Sequence, residues 1–149
     1  MSDVRVAQPE DAEAIGRLLH AFNLEFGDFT PGPEKLAERA RRLISGDELV
    51  ALVGGSGPDG VAILRLRPSL WTDALECYLA ELYVTPEHRG RGLGRALMTA
   101  ALELARERGA DHVELATSED DVAARGLYES LGFSNRDGGT LMLFYERPL

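Results

Sequence analysis

The chain has one cysteine, Cys77, one tryptophan, Trp71, one lysine, Lys35, and three histidines in 149 residues. A single thiol excludes an intrachain disulfide and leaves no cysteine cluster to hold zinc or iron–sulfur. His20, His88 and His112 lie far apart and show no ligand spacing, so no metal is expected. No apolar run approaches the roughly 18–20 residues that cross a bilayer. The first residues lack the basic-then-apolar pattern of a secretory signal. No membrane association and a reducing, cytoplasmic setting are therefore expected. Basic residues are also scarce, 16 against 25 acidic ones, giving a formal net charge of -9. That balance argues against nucleic acid and anionic lipid as partners. It fits a cationic small-molecule or peptide substrate.

What is present suits one globular domain over residues 1–149, with 44% hydrophobic content and no linker, repeat or low-complexity segment. Val4–Val6 reads as a strand, and Pro9 opens a helix carrying Ile15, Leu18, Leu19 and Phe22 at helical spacing. Pro33 opens a second helix with Leu36, Ala40, Leu43 and Ile44 on one face. Leu49–Val53 and Val61–Leu66 read as a hairpin around a glycine-rich, mobile tip. A third strand runs from Glu76 to Val84 and a long helix from Leu93 to Arg108, with Leu97, Ala101 and Leu104 inward. His112–Ala116 is the next strand. Asp120 or Asp121 caps a helix that ends at Gly132. Phe133 begins a strand, Asp137-Gly138-Gly139 turns it, and Leu141–Tyr145 closes the sheet. The order β-α-α-β-β-β-α-β-α-β-β predicts a mixed α/β sheet with helices on its faces.

The most informative stretch is Arg89-Gly90-Arg91-Gly92-Leu93-Gly94, set between the strand Leu82-Tyr83-Val84 and a helix start. Such a turn gathers unpaired backbone N–H groups at the positive end of a helix dipole, which is an anion site. Two nucleotide motifs fail here. A Walker loop needs Gly-Lys-Ser/Thr where the chain has Gly94-Arg95-Ala96, and the dinucleotide fingerprint needs glycine where Arg95 stands.

Arg89, Gly92 and Gly94 meet the pattern Arg/Gln-x-x-Gly-x-Gly/Ala, which resembles the acetyl-CoA signature of the GNAT superfamily of N-acetyltransferases. The preceding Ala80–His88 looks like that family's strand-and-turn entry. Ala123–Phe133, with Tyr128 and Gly132-Phe133, is similar to its second signature, and Met142–Glu146 resembles its last strand.

The resemblance implies acetyl-CoA as cosubstrate, and acetyl transfer by direct attack of a primary amine, the acceptor being a small molecule or peptide. A non-catalytic acyl-CoA-binding or regulatory module on the same fold is the alternative. The sheet should splay beside Leu82, Tyr83 and Val84, freeing backbone groups for the pantetheine arm. Backbone N–H groups from Arg89 through Gly90, Arg91, Gly92, Leu93 and Gly94 to Arg95 should hold the pyrophosphate. Glu81 is the candidate base, with Glu76, Glu25 and Asp28 in reserve. Tyr128 matches the family's general acid, which protonates the departing thiolate. The resemblance also counts Asp121 and Tyr128 with the cofactor-binding residues, and Asp121 stands where many members carry Asn. It caps a helix well but cannot donate a side-chain hydrogen bond when ionised.

Phe22, Glu25, Phe26 and Phe29 gather around the first interhelical loop, the region that often walls the family's acceptor site. His88 reads as a loop residue and Trp71 as a packing anchor. Leu141–Tyr145 either pairs across a homodimer or finishes the core.

Overall fold

A computed structural model describes residues 3–149. The chain divides into two compact units, Met1–Leu115 and Ala116–Leu149.

The first unit carries a five-stranded sheet in the order β1-β2-β3-β4-β5: Val4–Val6 (β1), Leu49–Gly54 (β2), Gly60–Pro68 (β3), Leu75–Val84 (β4) and Ala110–Leu115 (β5). The first four strands pair antiparallel in sequence, and β5 joins β4 in parallel. A parallel partner needs a crossover, and helix α3 (Leu93–Glu107) supplies it. Helices α1 (Ala12–Glu25) and α2 (Pro33–Ile44) precede β2. Pro9 opens a 3-10 turn, Pro9–Asp11, before α1, and Asp11 ion-pairs with Arg5 at 2.7 Å.

Ile15 and Leu18 of α1 are fully buried against Ala51, Val53, Val61, Ile63 and Tyr83. Those strand residues share the sheet face covered by α1 and α2. Gly60 shows why α3 can sit close on the other face: a Cβ there would meet Leu97 Cδ1 at 2.9 Å. Leu97, Met98, Ala101 and Ala105 turn inward from α3, and Cys77 is buried. On α2 the buried position is Ala37, whereas Leu43, expected inward, is 42% exposed because it lies at the margin of the stripe that Ala37, Ala40 and Ile44 form. Trp71, expected as an anchor, is 90% exposed. It sits in the β3–β4 loop, where its backbone N–H bonds Ser69 Oγ at 3.0 Å and nothing covers the ring.

The second unit holds helix α4 (Val122–Ser130) and a two-stranded sheet of β6 (Arg136–Asp137) and β7 (Thr140–Leu141). Asp121 caps α4, its carboxylate accepting from the Ala124 N–H at 3.2 Å. The terminal hairpin is shorter than its sequence suggests. Strand pairing starts at Arg136 rather than Phe133 and ends at Leu141, with one further bond from Met142 N–H to the Asn135 carbonyl. Gly138 and Gly139 take positive φ, as a two-residue turn demands, but Met142 to Tyr145 are all exposed and have no buried face to enforce alternation. No helix among the described residues is long and apolar enough to cross a membrane.

Candidate functional site

Two features of β4 shape the site. The first is a bulge. Glu81 pairs with Ile63 and Leu79 with Leu64, so Ala80 is an extra residue on β4. Strict alternation would put Glu81 on the face of Cys77 and Leu79. The extra residue moves it to the other face, that of Ile63, Tyr83 and the α1–α2 layer. The second feature is where β5 stops. Its pairing with β4 ends at Leu79–Leu115, while β3 stays paired through Val84. From Ala80 to Val84 the β5 side of β4 is therefore open, as expected of a splay beside Leu82, Tyr83 and Val84.

The glycine turn follows directly. Gly90 (φ 75) and Gly92 (φ 86) are left-handed, and a Cβ on either would meet nothing within 4 Å. Gly92 is the N-cap of α3, with no side-chain cap. The first helical bond runs from Ala96 N–H to the Gly92 carbonyl at 3.0 Å. The N–H groups of Leu93 and Gly94 come before it and, among the described residues, have no partner inside the helix. Beside the turn, Gly92, Arg95, Ala96, Thr99 and Ala100 line a cavity of about 430 Å³ with Val4.

Arg89 does not simply face outward from the turn. Its Nη1 and Nη2 each donate to a different oxygen of Glu25 at 2.8 Å, and its Nε donates to the Val84 carbonyl at 3.0 Å. The Tyr83 hydroxyl donates to Glu25 Oε1 at 2.9 Å, and the guanidinium lies 5.5 Å from the Tyr83 ring centre. Phe22 stacks on that ring at 4.9 Å and meets Phe26 edge-on at 5.4 Å. Thus Phe22, Glu25 and Phe26 do gather, but around Tyr83 and Arg89. Phe29 lies outside the group and is 83% exposed, its carbonyl accepting from Asn23 Nδ2 at 2.6 Å. Arg89 and Tyr83 hold the Glu25 carboxyl below the usual carboxylate range despite some burial. Local sequence reading misses this arrangement, because nothing near Glu25 in the chain signals Arg89.

Glu81 is half-buried and makes no hydrogen bond or ion pair among the described residues. Burial pushes its carboxyl up, and the Arg65 charge draws it partly back. Glu76, a reserve base, instead accepts from Arg67 Nε at 3.0 Å. His88 sits in the turn before the glycines, its Nδ1 2.8 Å from Thr85 Oγ1. In the second unit Tyr128 is buried, and burial, with the nearby Asp121 charge, pushes its hydroxyl up to about 12. Its ring meets Phe133 edge-on at 6.0 Å.

A half-buried carboxylate, an open strand edge and a bare helix start on one strand–turn–helix unit suit an acyl-thioester donor and a nucleophile. The model of the acetyltransferase (GNAT) family matches residues 17–133. The chain belongs to the GNAT acetyltransferase family. A solved structure from Arthrobacter sp. FB24, assigned to the acetyltransferases, superposes with a TM-score of 0.91 at 41% identity, covering 99% of this chain and 96% of that one. A mycothiol acetyltransferase from Tsukamurella paurometabola is 37% identical over 131 residues, 83% of this chain. The streptothricin acetyltransferase of Streptomyces lavendulae is 37% identical over 82 residues, 55% of this chain. This GNAT chain spans only 44% of the first of these enzymes and 42% of the second.

Proposed function

We propose that this GNAT protein is an N-acetyltransferase that moves the acetyl group of acetyl-CoA to a primary amine by direct attack, with its two units working as one acetyltransferase domain. The observation that carries this reading is the junction of β4 with α3. The open β4 edge from Ala80 ends in a turn of left-handed glycines, at the N–H groups of Leu93 and Gly94. A cofactor with a peptide-like arm and a pyrophosphate fits this pair of features. The arm would add along Leu82–Val84 as an extra strand, and the phosphates would rest on the N–H groups. An N–H of the same β4 stretch would polarise the thioester carbonyl.

An amine is protonated at neutral pH and must lose a proton before it attacks. Glu81 suits this task, because burial raises its basicity and no partner among the described residues occupies its oxygens. Tyr128 suits the opposite task. A phenol held at about 12 keeps its proton at neutral pH and can give it to the departing thiolate. Asp121 caps α4 through Oδ1 and, when ionised, would meet the cofactor as an acceptor and not as a donor. The resemblance alone gave Phe22, Glu25 and Phe26 to the acceptor wall. Their packing on Tyr83 and Arg89 favours a supporting role for them behind the glycine turn.

Release of free thiol from acetyl-CoA across a panel of amines tests the proposal. Amine-dependent release is the expected result. Tight CoA binding with no amine-dependent release would instead mark a binding or regulatory module.

A further inference from the structure

Arg65 and Glu81 stand on one sheet face. Ile63 pairs with Glu81 and Arg65 with Tyr78, and Ile63 and Arg65 are two residues apart on an unbroken strand. The Ala80 bulge thus makes Arg65 and Glu81 diagonal neighbours, with backbones roughly 7–8 Å apart. Arg65 also lines a cavity of about 480 Å³ between this face and the end of α2, with Arg42, Asp47, Glu48, Arg67 and Tyr78 around it. That volume suits a small molecule. Arg67 is already engaged, with Glu76 at 3.0 Å and Glu114 at 3.3 Å. Arg65 and Arg42 have no ion pair among the described residues. Asp47 and Glu48, in the exposed loop between α2 and β2, line the cavity as well.

We propose that the acceptor is an amine bearing a carboxylate, of the amino-acid type, whose carboxylate docks on Arg65 while its amine faces Glu81. The inference rests on the N-acetyltransferase reading of this site. A guanidinium binds a carboxylate through two parallel hydrogen bonds, which orients the molecule as well as attracting it. In a chain of net charge -9, an anionic group is drawn in only by such local cations. Arg42, which lines the same cavity, adds a second positive charge. Arg65 is then a specificity residue, and its charge tunes Glu81 at the same time.

The test compares matched acceptors with and without the carboxylate: tyrosine with tyramine, tryptophan with tryptamine, lysine with cadaverine, arginine with agmatine. Thiol release from acetyl-CoA gives kcat/KM for each. At least one amino acid is expected to exceed its decarboxylated partner by at least tenfold. Arg65→Gln should reduce that ratio at least tenfold, chiefly through KM, and Arg65→Lys should restore part of it. Arg39→Gln, on the exposed side of α2, should leave the ratio as it is. Equal or better use of the decarboxylated amines, or a ratio unmoved by Arg65→Gln, would overturn the inference and leave the acetyltransferase reading standing. Absence of thiol release with every amine would overturn both.

Discussion

Glu25 and Arg89, 64 positions apart in the chain, form a two-pronged ion pair with both hydrogen bonds at 2.8 Å. The pair joins the last turn of α1 to the first residue of the glycine turn, and Tyr83 and the Val84 carbonyl complete the link. Arg89 is therefore a brace for the turn. Glu25→Gln should raise the KM for acetyl-CoA several-fold with a smaller effect on kcat. Both side chains are partly exposed, 43% for Arg89 and 29% for Glu25, so the loss of stability should be only about 1 kcal/mol, or roughly 3 °C in Tm. The Glu25 carboxyl is depressed in the fold, so its contribution is present above the ordinary carboxylate value of 4.5 and fades as the pH falls through the depressed one. Melting curves of wild type and variant should differ at pH 7 and converge in acid. A persistent gap in acid would show that packing, not charge, links these residues.

Glu81 has the opposite sign. Burial raises its carboxyl above 4.5, so the folded state binds its proton more tightly than the unfolded chain does. The favourable contribution is complete below the unfolded value and is lost as the pH rises through the folded one. At neutral pH the charged carboxylate costs stability. Glu81→Gln should therefore melt slightly higher than wild type at pH 7 and equally in acid. The same variant should lose about a hundredfold in kcat and lose the acidic limb of the pH–rate profile. Unchanged kcat would remove Glu81 from the reaction.

The parts of the site that sequence discloses are the local ones. Gly90 and Gly92 are needed where φ is positive, and Leu97, Ala101 and Leu104 fall on one face of α3, so turn and helix are both legible. The splay beside Leu82, Tyr83 and Val84 follows from the resemblance and not from the pattern of those residues. The face on which Glu81 stands was not legible. It depends on one extra residue at Ala80, and nothing in Tyr78-Leu79-Ala80-Glu81 marks a slip of register. The Glu25–Arg89 pair, the exposure of Trp71 and the short terminal hairpin are likewise set by contacts, or their absence, that local spacing does not encode.

Tyr128→Phe isolates the second proposed proton transfer. The ring and its edge contact with Phe133 survive the change, so the fold and CoA affinity should be nearly unaltered. Turnover should fall at least tenfold, since the thiolate then leaves without a proton donor. Because the hydroxyl is held at about 12, wild type should show no basic limb from this group below about pH 10. Calorimetric titration with CoA, beside kcat, separates the two effects. Undiminished turnover would leave Tyr128 as a packing residue.

Gly92→Ala tests the anion cradle itself. Gly92 has φ 86, and a Cβ there meets no neighbour within 4 Å, so the methyl group clashes with nothing in the protein. The stability cost is conformational, about 1–2 kcal/mol for a left-handed residue with a side chain. Gly109, just past the end of α3, has φ 92 and equally open surroundings, so Gly109→Ala carries the same cost. Both variants should melt about 5 °C lower. Only Gly92→Ala puts a methyl group beside the N–H groups of Leu93 and Gly94, and it should raise the KM for acetyl-CoA at least tenfold while Gly109→Ala leaves it near wild type. An equal KM in the two variants would show that the turn braces the fold without holding the phosphates.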